Sequence, residues 1–212
     1  LGEMQHRVLS MALLHETLYR SDNFARVDLS AYLAALANQL FRASAPGNGR
    51  VALKLAVEQE YVSLEQAVPC GLLVTELLSN CLKHGFPGER HGEVCVALAA
   101  VDGGPEMALT VSDDGVGLPA DMTARVFEMF AQVNRSLARA QGGLGIGLSV
   151  ARTLVELHGG TIGVTSPGLR LGSEFAVQLP VVQVLAGEVP QSPVAVAPSP
   201  PRTSSLRIMV VE

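Results

Sequence analysis

Apolar positions recur at helical spacing in three stretches of the first half of the chain. In the first stretch the separations alternate between three and four residues, which is typical of a helix that packs along a partner helix. The positions that carry this pattern are Leu1, Met4, Val8, Met11, His15 and Leu18. The second stretch predicts a helix over roughly 30–43, which Asp28 or Ser30 can cap. The third predicts a helix over about 64–84, which ends at Gly85.

Alternation of apolar and polar positions predicts strands elsewhere in the chain. The strand-like stretches are VALKLAV (51–57), EVCVALAAV (93–101), EMALTVSD (106–113), TIGVTS (161–166) and SEFAVQLP (173–180). A further helix is predicted over 146–158, where Gly159 and Gly160 close it. Helices followed by strands mixed with helices predict an α/β (α+β) two-layer sandwich, in which a helical layer covers one mostly antiparallel sheet.

Composition narrows the possible classes of protein. The 212 residues are 48% hydrophobic, and the net charge of −5 argues against a general nucleic-acid binder, which would carry a basic face. No uncharged apolar run is long enough to span a membrane and no secretory signal is present, so we expect a cytoplasmic location. The chain opens on Leu1, and we expect it to be part of a longer protein. Its three cysteines lack metal-ligand spacing and are expected to be buried, reduced thiols: Cys70, Cys81 and Cys95.

A polar face on the predicted helix over 64–84 is the first candidate site. Glu76, Asn80 and Lys83 lie at i, i+4 and i+7, and therefore on one side of that helix. The opposite, apolar side includes Leu73, Leu77, Leu78 and Leu82. A solvated surface is the simpler interpretation of the trio alone. A carboxylate, an amide oxygen and an ammonium are also what a magnesium–triphosphate site requires, because Mg²⁺ takes oxygen ligands and lysine offers a point charge to phosphate.

Three loop segments carry further candidate chemistry. DDGVG (113–117) follows a strand, and is either an ordinary Asp-Gly turn or a carboxylate that accepts a hydrogen bond from the exocyclic amine of a base. The two aromatic side chains of VFEMF (126–130) are explained equally well by core packing. QGGLGIGL (141–148) has four glycines directly before a helix. It suits either a flexible hinge or backbone N–H groups that approach a phosphate at a helix N-terminus.

Taken in order, these segments resemble the motifs of the sensor histidine kinases. ELLSNCLKH resembles their N box, DDGVG the first glycine box, FEMF the F box, GGLGIGL the second glycine box and GSEFAVQLP the closing strand. The resemblance covers roughly residues 1–180. It implies the Bergerat ATP-binding fold shared with gyrase, Hsp90 and MutL, with an N-terminal helical dimerisation segment. The site is not a P-loop, since no GxxxxGK followed by Ser or Thr exists in the chain.

The resemblance assigns roles around the base and the metal. It implies that Asn80 ligates Mg²⁺ and that Asp113 reads the adenine amino group. It also implies that Gly115 and Gly117 line the base pocket, which places ATP and Mg²⁺ as the cofactors of this chain.

The resemblance assigns roles around the phosphates as well. Glu76 would polarise the attacking imidazole or a water, and Lys83 would contact phosphate or the lid. The lid, roughly 118–142, is expected to be mobile without nucleotide, with the glycine stretch as its C-terminal hinge. The other residues that the resemblance places at the ATP site are His84, Phe130, Gly143, Leu144, Gly145, Ile146, Gly147, Leu148 and Ser173.

Two histidines near the N-terminus are candidates for the phosphoacceptor. His6, in MQHRV, superficially resembles an acceptor sequence, but the residues after it lack the polar side chains expected there. His15 falls on the apolar side of the first predicted helix and is expected to pack. HETLYRS and VDLSAYL together resemble the second dimerisation helix of one kinase subfamily, whose acceptor lies on the preceding helix. We therefore expect the phosphoacceptor histidine upstream of Leu1. The lid segment, unlike the N-terminal half, is more like the lids of hybrid kinases of a larger class.

The expected organisation has four parts. They are part of a dimerisation hairpin (1–24), the ATP-binding catalytic domain (25–180), a Pro/Ala-rich linker (181–205) and the start of a truncated receiver domain (206–212). The expected activity is transfer of the ATP γ-phosphoryl group to a histidine, for relay to a response-regulator aspartate, in a homodimer formed through the N-terminal helix. The alternative is an anti-sigma-type serine kinase or a partner-switching ATP-binding module on the same fold. A gyrase-type clamp would need a transducer domain, for which the chain has no room.

Overall fold

The computed structural model describes residues 26–44, 49–101, 104–129 and 147–181, together with Ala12. Within these ranges the elements are, in chain order, β1 (Val27–Asp28), α1 (Leu29–Ser44), β2 (Val51–Val57), β3 (Tyr61–Val62), α2 (Leu64–Asn80), a π-helical turn (Cys81–Gly85), β4 (Gly92–Ala100), β5 (Glu106–Asp113), α3 (Ala120–Thr123), α4 (Gly147–Leu157), β6 (Thr161–Thr165) and β7 (Ser173–Pro180). Apart from Ala12 and Val181, the predicted N-terminal helix, the linker and LRIMVVE lie outside the described residues.

The main sheet of the described region contains five strands in the order β2–β4–β5–β7–β6. β2 and β4 pair in parallel, and the three other pairings are antiparallel. The parallel pair requires a crossover connection, which α2 provides. β1 and β3 pair separately as a short antiparallel ribbon that the sequence pattern did not reveal. The predicted two-layer sandwich with a mostly antiparallel sheet is confirmed.

The core lies between the sheet and the helices α1, α2 and α4. Alternate side chains of the central strands are buried: Val94, Val96, Leu98, Met107, Leu109, Val111, Val177 and Leu179. Buried leucines on the helices recur at helical spacing: Leu29, Leu33, Leu36, Leu40, Leu73, Leu77, Leu78 and Leu82. Each fully buried leucine contributes about 1.5–3 kcal/mol, so this layer dominates the stability of the fold. The apolar side predicted for the helix over 64–84 is therefore confirmed.

Asp28, and not Ser30, caps the N-terminus of α1. The Asp28 Oδ1 accepts a hydrogen bond from the backbone N–H of Ala31 at 2.9 Å, which satisfies one of the free donors of the first turn. The Ser30 hydroxyl instead donates to the carbonyl of Glu58 at 2.6 Å and accepts from the N–H of Glu60 at 2.8 Å. These two hydrogen bonds of Ser30 connect α1 to the segment between β2 and β3.

The helix predicted over 64–84 reaches Gly85, where it was expected to end, but its geometry changes before that point. Its α-helical part ends at Asn80, and Cys81–Gly85 forms a π-helical turn. A π turn contains more residues than an α turn, so positions after Asn80 leave the face that i, i+4, i+7 spacing assigned to them. The placement of Lys83 on the same α-helical face as Glu76 is therefore wrong.

The C-terminus of α4 is closed by two glycines, as predicted. The N–H of Gly160 donates to the carbonyl of Val155, and the N–H of Gly159 donates to that of Glu156, both at 3.0 Å. This is the Schellman arrangement, and Gly159 supplies the left-handed residue it requires, with φ +74°.

In the part of the chain that the structure describes, no helix is long and apolar enough to cross a membrane.

Candidate functional site

The carboxylate of Asp113 is the best-defined polar group near the predicted site. It stands at the end of β5 and is half-buried. Its Oδ1 accepts from the N–H of Gly115 at 2.8 Å, and its Oδ2 accepts from the hydroxyl of Ser173 at 2.7 Å and from the thiol of Cys81 at 3.5 Å. A carboxylate has about four acceptor positions, so three donors from three segments orient it and leave capacity for one more.

Glycines let three backbone segments meet beside Asp113. A Cβ on Gly115 would lie 2.5 Å from Asp113 Oδ1 and 2.5 Å from the carbonyl oxygen of Gly85, so a side chain there would displace the carboxylate. A Cβ on Gly172 would overlap the carbonyl of Asp113, and φ at Gly172 is +78°. The N–H of Val116 donates to Gly85 at 2.9 Å. Close packing of these loops requires the glycines, whatever ligand the site holds.

The thiols of Cys70 and Cys81 are held in the neutral form. Burial raises the pKa of Cys70 to about 12. Burial raises the pKa of Cys81 well above its usual value, and the neighbouring charge of Asp113 and the hydrogen bond to it raise it further. A protonated Cys81 can donate to Asp113, so it belongs to the site. Cys95, which was expected to be buried, is half-buried on β4.

One of the three cysteine thiols should therefore react readily with a disulfide reagent in the native protein. Cys95 is accessible, whereas Cys70 and Cys81 are buried and protonated, and the thiolate is the reactive species. At pH 8 we expect one equivalent to react quickly and the other two only after denaturation. Cys95→Ser should eliminate the fast phase, and two or three fast equivalents in the native protein would contradict this description of the core.

The candidate metal and phosphate residues lie along α2 and the turn that follows it. Glu76 and Asn80 are half-buried on the last part of α2, and Lys83 and His84 are exposed in the π-helical turn. The carboxylate of Glu76 lies directly against Gly147, the first residue of α4, where a Cβ would collide with it. The N-terminus of a helix carries partial positive charge, which favours a carboxylate or a phosphate at this position.

A shallow groove runs between α2 and α4 at this contact. Its walls are Leu72, Glu76, Gly147, Val150, Ala151 and Leu154. Of the glycine-rich stretch, Gly147 and Leu148 are described, and Leu148 packs against the core. The remaining predicted site residues lie outside the described residues: His6, His15, Phe130, Gly143, Leu144, Gly145 and Ile146. The fold thus brings Glu76, Asn80 and the start of α4 together on one side of the domain.

The first part of the predicted lid packs on the domain. Met122 on α3 is buried, and the ring of Phe127 meets that of Phe175 edge-on, with centroids 6.2 Å apart. The core-packing interpretation therefore holds for Phe127. Lid mobility stays a prediction, because 130–146 lie outside the described residues.

Sequence reasoning missed two polar residues that hold the loops around Asp113. The hydroxyl of Ser166 accepts from the N–H of Leu118 at 2.9 Å and donates to the carbonyl of Gly172 at 2.7 Å. Arg90 donates to several loop carbonyls. Neither residue stands in a motif, and most of their partners are distant in sequence, so periodicity and spacing gave no signal for them.

In the described part of the chain, helices cover one face of a mixed five-stranded sheet. Residues 65–183 match the family described as histidine kinase-, DNA gyrase B- and HSP90-like ATPase, and the chain belongs to this family. Residues 1–44 match a second family, described as histidine kinase. The predicted Bergerat fold and the resemblance to the histidine kinases are confirmed.

Individual relatives agree with this assignment. The chain is 35% identical over 140 residues to the sensor histidine kinase AruS of Pseudomonas aeruginosa, across 66% of this chain and 13% of that protein. It is 36% identical over 113 residues to the sensor histidine kinase RppB of Synechocystis, across 53% of this chain and 23% of that protein. The chain therefore spans less than a quarter of the length of these curated relatives.

Solved structures show the same architecture. The histidine kinase domain of a blue-light activated histidine kinase from Erythrobacter litoralis superposes with a TM-score of 0.68 at 25% identity, across 85% of this chain and 76% of that chain. The mycobacterial sensor histidine kinase MprB gives a TM-score of 0.60 at 26% identity, across 74% of this chain and 97% of that chain.

Proposed function

We propose that this chain is the ATP-binding catalytic region of a two-component sensor histidine kinase, and that it transfers the γ-phosphoryl group of ATP to a histidine. The observation that carries the proposal is the Asp113 carboxylate, which three donors orient at the end of β5 within the family's domain. Its remaining acceptor capacity suits the exocyclic amine of adenine.

Asn80 is proposed to hold Mg²⁺, and the residues present fit that ion. Mg²⁺ prefers oxygen ligands and usually keeps several waters and phosphate oxygens, so it needs few protein ligands. The amide of Asn80 and the carboxylate of Glu76 lie one turn apart on α2. Among the described residues no cluster of three His, Cys, Asp or Glu side chains could hold a metal by itself, which agrees with an ion carried mainly by the nucleotide. Bound Mg²⁺ would neutralise phosphate charge.

The roles proposed for Glu76, Lys83 and His84 follow from where these residues lie in the fold. Glu76 is proposed to polarise the attacking imidazole, since a carboxylate can accept a hydrogen bond from the ring N–H while the other ring nitrogen attacks. Lys83 and His84, exposed in the π-helical turn, are proposed to contact phosphate or the lid. Phosphoryl transfer needs little covalent chemistry from the protein, so positioning and electrostatic stabilisation are the main contributions expected of these groups.

The proposed partners are a second copy of the chain and a response-regulator receiver domain. The match of residues 1–44 to a histidine kinase family supports dimerisation through the N-terminal helix. Names of relatives such as the hybrid signal transduction histidine kinase D of Dictyostelium discoideum, 40% identical over 74 residues (35% of this chain and 5% of that protein), support relay to a receiver. We propose a cytoplasmic site of action, because the substrate ATP is abundant there.

Acid stability of the transferred phosphate tests the proposal most directly. The intact kinase that contains this chain would be incubated with γ-labelled ATP and its cognate receiver. Phosphohistidine is lost in acid and kept in alkali, so we expect an acid-labile label that passes to the receiver. An acid-stable label on the kinase itself would favour the serine-kinase alternative, and ATP binding without any transferred label would favour a partner-switching module.

A further inference from the structure

Three loops meet at the side chain of Arg90, which lies between the π-helical turn and β4. Its Nη2 is 2.7 Å from the carbonyl oxygen of Asp114, 3.0 Å from that of Gly115 and 3.2 Å from that of Arg170. The residue is half-buried, and its Nε is buried with no hydrogen-bond partner in the described part of the chain. One cationic nitrogen thus joins the loop after β5 to the loop between β6 and β7.

The Asp114–Gly115 peptide connects Arg90 to the carboxylate of Asp113. The carbonyl of this peptide accepts from Arg90, and its N–H, on Gly115, donates to Asp113 Oδ1 at 2.8 Å. In a trans peptide the C=O and N–H point in opposite directions, so one planar unit spans the distance between the two charged groups. Hydrogen bonds linked in this way polarise each other, and each becomes stronger.

The loop between β6 and β7 accepts a hydrogen bond from the same cation. Arg170 has φ 69°, a left-handed conformation that is unfavourable for a residue with a side chain. Its N–H donates to the carbonyl of Val116, and its own carbonyl accepts from Arg90. The carbonyl of Gly115 accepts from both Arg90 and the N–H of Gly172, at 3.0 and 3.1 Å. This loop leads directly into β7, which supplies the hydroxyl donor to the base site.

We propose that Arg90 is a positioning residue for recognition of the nucleotide base. Its guanidinium fixes the Asp114–Gly115 peptide and thereby the direction of the Asp113 carboxylate. Arg90 acts through Asp113, so it affects the part of binding that distinguishes adenine from other bases. The inference rests on the proposed function, in which Asp113 receives the adenine amino group.

Arg90→Met tests the proposal, because it keeps an unbranched apolar stem and removes the cation and its donors. We expect ATP affinity to fall about 10-fold, or about 1.4 kcal/mol, and the preference for ATP over GTP to fall by a similar factor. Affinity for magnesium tripolyphosphate should not change. Arg90→Lys should recover most of the loss, because an ammonium places three N–H donors on one nitrogen. Arg42→Met, at an exposed position in the last turn of α1, is the matched control.

A second readout does not depend on nucleotide. The amide proton of Gly115 should resonate downfield in the wild-type protein, because it bonds to a carboxylate, and should move upfield in Arg90→Met but not in Arg42→Met. Wild-type ATP affinity and base preference in Arg90→Met would overturn the inference, as would an equal loss of tripolyphosphate affinity. A wild-type protein that binds no ATP would overturn the proposed function, and the amide resonance would still decide whether Arg90 orients the peptide.

Discussion

Replacing Asn80 by alanine should remove the magnesium-dependent part of ATP affinity. Asn80 is half-buried at the end of α2, and Glu76, one turn earlier, lies against the start of α4. Alanine leaves the helix intact but provides no oxygen ligand, and hard cations bind only to oxygen at such sites. We expect a loss of about 100-fold in affinity for Mg-ATP, equivalent to about 2.7 kcal/mol.

Calorimetric titrations of ATP with Mg²⁺ and with a chelator measure this effect. The wild-type protein should bind more weakly when the metal is removed, whereas Asn80→Ala should bind equally with and without it. Asn38→Ala is the matched control, because that exposed side chain bonds to the carbonyl of Ala34 in its own helix. Unchanged Mg-ATP affinity in Asn80→Ala would remove this residue from the site.

Asp113→Asn should weaken adenine nucleotides more than guanine nucleotides. Gly115, Ser173 and Cys81 all donate to this carboxylate, so an amide must turn its NH₂ group toward one of these donors or toward the base. The charge-assisted bond to the adenine amine would also be lost, which costs about 1.5–3 kcal/mol, a factor of about 10–150 in affinity.

The measurement is ATP and GTP affinity in the same titration format. Guanine presents a carbonyl where adenine has its amine, so the native carboxylate should repel it and the variant should discriminate less. Asp114→Asn serves as control, because that neighbouring, exposed carboxylate accepts from the backbone of Glu93. Equal factors of loss for ATP and GTP would show that Asp113 does not read the base.

The local pattern of apolar and polar residues was sufficient to predict most helices and strands of the fold. The strand over 106–113 has the predicted bounds, and α4 ends one residue before its predicted end, because periodicity and closing glycines act within a few residues. The local pattern could not decide whether Asp28 or Ser30 caps the N-terminus of α1. Ser30 has partners 28 and 30 residues away, and those contacts, not its propensity, determine its role.

Fewer features of the candidate site could be predicted from the local sequence pattern. The π-helical turn moves Lys83 away from the expected face, and a register change of this kind leaves the hydrophobic pattern almost unaltered. Arg90 stands among charged residues that read as an ordinary surface turn, and its importance comes from three carbonyls in two remote loops. Resemblance to a family supplied Asp113 and Ser173, but the thiol of Cys81 as a third donor emerged only from the fold.

The pairing of β5 with β7 has a consequence for how the protein folds. Asp113 and Ser173 are 60 residues apart, and they become neighbours only when these two strands are in register. Closing so long a loop costs entropy that local contacts cannot offset, so this contact should form late in folding. During synthesis the proposed base site cannot exist until β7 has left the ribosome. Nucleotide should therefore leave the earlier, partly folded chain unaffected and stabilise the complete domain by mass action.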